Sequence, residues 1–272
     1  MASAIFVQDS DQRAATPPYL PRRQSPAGWL ASYAGLAQVM LTEYRAFWWI
    51  HVLFGLLMPL GMLFFLKAAG GEIATERAIY LLGGNLTTAT VYGPAMIIIN
   101  KIGWGRQSRE FDYWASLPLP KLALLLAMVT VSLALSFPGL LTLWLLGSRM
   151  LGLPLAGGLA LLPLIPLGAL SLVGAGAFLG SYARDGQTAN VMANLLMAFV
   201  TFLSPTMIPL EALPVPIRLL SSLTPIPYVA GAFRAALAGN FGGEFAYHVG
   251  IMVAMGLGCL ILVHRKLDWR SQ

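Results

Sequence analysis

The chain has 272 residues, of which 57% are hydrophobic and only 10% charged, and its mean hydropathy is +0.72. A soluble domain carries about 25% charged residues, so this composition excludes a water-soluble enzyme or a disordered chain, and its single cysteine, Cys259, excludes an internal disulfide framework. What is left is an integral membrane protein. Its net charge of +6 needs no nucleic acid to explain it, because cytoplasmic loops of membrane proteins collect Lys and Arg.

Residues 1–26 are polar and hold Pro17, Pro18, Pro21 and Pro26; no apolar stretch follows Met1. They read as a disordered cytoplasmic tail, not a signal peptide. Over 27–46 the apolar residues Trp29, Leu30, Tyr33, Leu36, Ala37, Met40, Leu41 and Tyr44 recur at helical spacing. This stripe predicts an amphipathic helix lying in the membrane interface and ending in the aromatic cluster Phe47-Trp48-Trp49; the alternative is a seventh span.

Crossing about 30 Å of hydrocarbon takes about 20 helical residues. Six windows without Asp, Glu, Lys or Arg reach that length: 46–66, 78–100, 122–148, 150–183, 186–210 and 245–264. Pro154, Pro163 and Pro166 predict a kinked or broken helix in the fourth. With the N-terminus inside, six spans put twelve basic residues on the cytoplasmic side and five outside: Lys67, Arg77, Arg149, Arg218 and Arg234. The bias places both termini in the cytoplasm.

The cytoplasmic loop from Lys101 to Lys121 is longer than a hairpin needs. Ser108 is read as the N-cap of a short helix that Pro118 and Pro120 stop. Phe111, Trp114 and Leu117 fall on one face, and Arg109, Glu110, Asp112 and Ser116 on the other. Such a helix, held at the membrane surface with charge and exposed aromatics, suits docking to a cytosolic partner; the alternative is a loop with interfacial aromatics resting on the membrane. The outer loop from Ser204 to Glu244 holds six of the 18 prolines, around two short amphipathic pieces, Ile217–Leu223 and Val229–Leu237. It reads as a re-entrant helical hairpin capping a pathway, or else as a loop lying on the membrane.

Among polar residues in the spans, Asn85 and Thr88 in the second and Asn190 and Asn194 in the fifth either line a pathway or dimer seam or bond helices together. Gly176-x-x-x-Gly180 is a helix-packing signal. His51, His248 and His264 are scattered, with no metal-ligand spacing, and read as interfacial residues. No span holds an ionised residue, unlike proton- or sodium-driven carriers.

With these loops placed, residues 27–265 resemble the membrane subunits of the ABC transporter type-2 family, the permease class that includes drug, lipid and glycan exporters. The resemblance rests on the element order and on Phe202-Leu203-Ser204-Pro205, Ile208-Pro209-Leu210-Glu211-Ala212-Leu213-Pro214, Leu223-Thr224-Pro225-Ile226-Pro227-Tyr228 and Ala232-Phe233-Arg234. These are similar to the family's C-terminal signature, with Thr224 where Asn is frequent. Arg109-Glu110 through Leu117-Pro118 is similar to the family's coupling segment, with Phe111-Asp112-Tyr113 in place of the common Gly-Thr-Leu.

The resemblance implies an all-α membrane protein of six transmembrane helices. To these it adds an N-terminal interfacial helix, a cytoplasmic coupling helix and an outer re-entrant hairpin, with residues 266–272 as a cytoplasmic tail. It implies a permease of the inner (plasma) membrane, paired with a second permease copy (a homodimer or a heterodimer) and with two ABC ATP-binding subunits that hold ATP and Mg. Arg106, Arg109, Glu110, Phe111, Asp112, Tyr113, Trp114 and Leu117 would contact those subunits. Pro209, Glu211, Pro214, Pro225, Pro227, Tyr228 and Arg234 would form the outer hairpin. The chain contains no G-x-x-x-x-G-K-[ST] phosphate loop, so ATP hydrolysis is expected from the partner and no cofactor from this chain. The expected function is ATP-driven export of an amphipathic drug, lipid or glycan. A secondary carrier and a membrane-embedded enzyme of lipid or glycan metabolism are the other classes, although the clustered carboxylates or nucleophile-base pairs of the latter are not visible.

Overall fold

A computed structural model describes residues 26–70, 73–117, 119–155, 157–202 and 214–266. The two tails and the segment 203–213, which holds Pro209 and Glu211, lie outside the described residues. Every regular element among the described residues is helical: α1 (Pro26–Tyr44), α2 (Trp48–Gly70), α3 (Thr75–Thr90), α4 (Met96–Gln107), α5 (Glu110–Ser116), α6 (Lys121–Leu151), α7 (Leu161–Gly180), α8 (Gly186–Phe202), α9 (Val215–Ser222), α10 (Ile226–Ala238) and α11 (Gly243–Lys266). A 3-10 turn, Gly157–Ala160, precedes α7. By length and composition, three of the described helices are long and apolar enough to cross a membrane: Lys121–Leu151, Gly158–Gly180 and Gly243–Arg265. The chain is an all-α membrane protein.

Two features depart from the sequence expectation. First, the continuous helix over the expected window 78–100 is not regular: its halves α3 and α4 are joined by the π-helical turn Val91–Ala95 around Pro94. Pro94 has no N–H to donate, and a wider turn absorbs the ring that a regular turn would clash with. Second, α4 runs on to Gln107, so the first seven residues of the expected loop are helical. Ser108 is therefore not an N-cap. It closes α4, and Arg109 stands before α5 in the left-handed region (φ 58°, ψ 23°). Arg109 is the only non-glycine with positive φ among the described residues.

Helix α7 is the hub. A Cβ on Gly176 would come within 2.9 Å of the Ala95 carbonyl, and one on Gly180 within 3.2 Å of the Ile99 Cα, so the Gly-x-x-x-Gly face lets α7 touch the π turn and α4 backbone to backbone. On another face, a Gly256 Cβ would meet the Ser171 Cα at 2.8 Å, which seats α11 on α7. In hydrocarbon, where no hydrophobic effect separates helix from lipid, such close approach is what holds helices together. Gly152 (φ 68°) ends α6 and lets the Leu153 N–H reach the Ser148 carbonyl at 2.9 Å.

The buried side chains form two large clusters. One gathers Leu82, Leu86, Leu143, Trp144, Ile165 and Phe233. The other gathers Leu36, Met40, Ile98, Ile102, Leu124 and Met128 and carries α1 and α5.

Candidate functional site

The second cluster supports a charged assembly at one end of the bundle. Glu43 lies off the apolar stripe near the end of α1, Lys101 directly follows an apolar window on α4, and Glu110 opens α5. Lys101 Nζ sits 2.8 Å from a Glu43 carboxylate oxygen and 2.9 Å from one of Glu110. The Lys101 side chain is 15% exposed and that of Glu110 26%. Burial opposes the charge on Lys101, but the hydrogen bonds it donates to both carboxylates outweigh that and hold its pKa above the ordinary lysine value. Its ammonium therefore keeps its charge, and its contribution is lost only as pH rises past that raised pKa. Tyr44 beside it is pushed up, chiefly by burial.

Around this ion triad the short helix is anchored by its aromatic face. Phe111 is buried near Met40, Leu124 and Met128, and packs on Gly105, where a Cβ would stand 3.0 Å from its ring. Trp114 Nε1 donates to Glu110 Oε1 at 3.1 Å. Leu117 is half-buried at the extended end of the helix, and Asp112 is half-buried as well. Tyr113 is 60% exposed, so α5 keeps an outward face.

A second set of contacts ties the end of α4 to the turn between α7 and α8. Arg106 donates through Nη1 to the carbonyls of Ser181, at 2.9 Å, and Ala183. The Gln107 side-chain oxygen Oε1 accepts from the Gly186 N–H at 3.0 Å. Asp185 caps α8, accepting from the Thr188 N–H at 2.7 Å, and this bond lowers its pKa. Arg106 and Arg109, three residues apart, differ in surroundings: Arg109 is exposed at the bend, whereas Arg106 is half-buried against the neighbouring turn.

The family model for the ABC-2 family transporter protein matches residues 73–264, from just ahead of α3 nearly to the end of α11. The chain belongs to the ABC-2 transporter family. No curated protein matches it in sequence. An ABC-2 permease is the transmembrane component of a transporter and implies an ABC ATP-binding partner.

In the permease the remaining expected residues fall in three places. Asn85 and Thr88 are buried within the bundle, and each bonds back to its own helix: Asn85 Nδ2 to the Leu81 carbonyl at 2.9 Å, Thr88 Oγ1 to that of Gly84 at 3.0 Å. Asn190 and Asn194 are exposed together on α8, with Asn194 Nδ2 donating to Asn190 Oδ1 at 2.7 Å.

At the opposite end from Lys101, Pro214 precedes α9 and Pro225 precedes α10. Pro227, Tyr228 and Arg234 line a cavity of 620 Å³ between α3, α10 and α11. Arg234 lies over the Tyr80 ring, its Cζ 3.5 Å from the centroid, and its Nε donates to the Tyr80 carbonyl at 3.4 Å.

Sequence reasoning did not single out Lys101 and Glu43 as a pair. The signal was a cation directly after an apolar window and an acid beside the end of an amphipathic stripe. Among the described residues no group of three His, Cys, Asp or Glu is placed to hold a metal ion.

Proposed function

We propose that this permease is the membrane half of an ATP-driven exporter that moves an amphipathic drug, lipid or glycan out of the cytoplasm. The observation that carries the reading is the Glu43–Lys101–Glu110 triad, because it joins a surface helix, an amphipathic helix and a membrane helix through one ammonium. The six long helical segments (α2, α3 with α4, α6, α7, α8 and α11) are the six spans. Twelve of 17 basic residues then lie on the Lys101 side, which makes that side cytoplasmic.

In this reading α5 is the coupling helix. An ATP-binding subunit presses on its exposed Tyr113 face, and the triad passes the displacement to α1 and α4. Arg106 and Gln107 pass it to the α7–α8 turn. The wider π turn at Val91–Ala95 lets the two halves of the long helix move separately; such turns concentrate at functional sites. Two copies of the chain meet along α8, where Asn190 and Asn194 form a polar pair that lipid would not satisfy. Two ATP-binding subunits complete the assembly and supply ATP and Mg. The hairpin α9–α10 closes the outer end.

The test is purification of the tagged chain with the P-loop ATPase that accompanies it, followed by transport into inverted vesicles. ATP-dependent uptake that falls at least tenfold in Lys101→Ala, with the ATPase still bound, supports the reading. Full transport by a preparation with no ATPase would refute it.

A further inference from the structure

The cavity at the Arg234 end has a lining that coupling and hairpin closure do not use. Tyr228, Tyr247 and His248 form a cluster of rings, with centroids 5.7 to 6.2 Å apart. Gly231 makes room for the imidazole: a Cβ there would lie 2.6 Å from His248 Nε2. Glu76 on α3 and Glu244 on α11 supply two exposed carboxylates, and Glu244 lies 3.7 Å from His248 Nε2. The one permanent cation in the lining is Arg234, which is already engaged with the Tyr80 ring and carbonyl. Leaving His248 aside, two carboxylates against one guanidinium give the lining a net charge of −1.

We infer that this cavity binds an organic cation with an apolar body. The 620 Å³ volume is the size of a small-molecule site. Tyrosine faces attract a delocalised or quaternary cation, most strongly where water is partly excluded. The Arg234 guanidinium over Tyr80 shows a planar cation already seated on one wall. The ring cluster of Tyr228, Tyr247 and His248 offers a second wall, with Glu244 beside it. An anion of the same shape would meet two carboxylates and gain nothing from the rings. Binding stands on the cavity alone. Only its placement at the outer face, as the last station of cargo leaving the cell, rests on the exporter reading.

The experiment uses the full chain in nanodiscs, without ATPase or ATP, so that its failure leaves the coupling account untouched. The probe is radiolabelled tetraphenylphosphonium, with tetraphenylborate as the anion of equal shape and empty nanodiscs as background. The expected result is saturable binding of one cation per chain, at least tenfold tighter than the borate. Glu76→Gln with Glu244→Gln should weaken it about tenfold, Tyr247→Ala should weaken it and Tyr247→Phe should retain it. Ala235→Trp, at a lining position on α10, should fill the cavity and abolish binding; monodisperse elution of each variant checks its fold. Equal affinity for cation and anion, binding indifferent to the two carboxylates, or no saturable binding would each overturn the proposal.

Discussion

At the Lys101 end, one ammonium within 3 Å of two carboxylates joins three elements, and a guanidinium bonds to two carbonyls of a neighbouring turn. At the Arg234 end, short helices that begin at prolines surround an open cavity, and rings 5.7 to 6.2 Å apart line one side of it. Charge-assisted hydrogen bonds are directional and about twice as strong as neutral ones, so they fix relative position. Ring contacts tolerate sliding and re-tilting. A stiff end suits receipt of a mechanical load, and a compliant end suits admission and release of molecules of varied shape.

Lys101→Glu should break this contrast most severely. It removes charge-assisted bonds worth about 1.5–3 kcal/mol and sets three carboxylates together. Thermal unfolding in detergent should show the largest drop of any variant named here, Lys101→Arg should keep most of the stability, and Lys101→Glu with Glu110→Lys should recover part of it. An unchanged melting point would mean that the triad does not bind the elements together.

Arg106→Ala should have a smaller and more local effect, in the same range of about 1.5–3 kcal/mol but confined to one turn. Hydrogen exchange should quicken at the amides of residues 181–186 while α5 keeps its protection. Uniform quickening across α5 would show that the two contact sets are one.

Arg234→Met should cost less, about 0.5–2 kcal/mol, because it removes a ring contact and one long hydrogen bond, of 3.4 Å, and keeps the aliphatic stem. The melting point should fall by less than in the Lys101 variants; an equal fall would erase the distinction between the ends. The smallest effect belongs to Arg109→Asn. A left-handed backbone costs an ordinary residue about 1–2 kcal/mol, and Asn tolerates it better, so this variant should melt slightly higher. A lower melting point would mean that the Arg109 side chain holds the bend.

Local signals carried most of what the sequence revealed. Apolar windows marked the long helices because hydrocarbon imposes a minimum length. Prolines bracketed the two short outer pieces, read as Ile217–Leu223 and Val229–Leu237, because a missing N–H acts on its own turn; α9 and α10 begin two and three residues earlier. Spacing put Phe111 and Trp114 on one face but did not tell which way that face points: the aromatics expected to be exposed turn inward, Phe111 buried and Trp114 half-buried. What stayed hidden depends on partners distant in the chain. Glu43 and Lys101 are 58 residues apart, and Arg234 and Tyr80 154 apart, so neither pair leaves a spacing pattern. Asn85 and Thr88 looked able to bridge helices, but a carbonyl one turn back was nearer. The π turn was hidden because Pro94 inside an apolar run gives no sign of whether the helix breaks or widens. The continuation of α4 was hidden because Gly103 and Gly105 look like breakers and are instead the points where Ala189 and Phe111 pack.

The central claim is that α5 faces the cytoplasm and the Arg234 end faces outward. Cys259 is the only native cysteine, so a Cys259→Ser background allows single cysteines at Tyr113 and Phe241, both more than half exposed, to be probed with a membrane-impermeant maleimide. The account predicts that Tyr113→Cys is labelled in inverted vesicles and protected in intact cells, with the reverse for Phe241→Cys. Labelling of Tyr113→Cys from outside intact cells would contradict it.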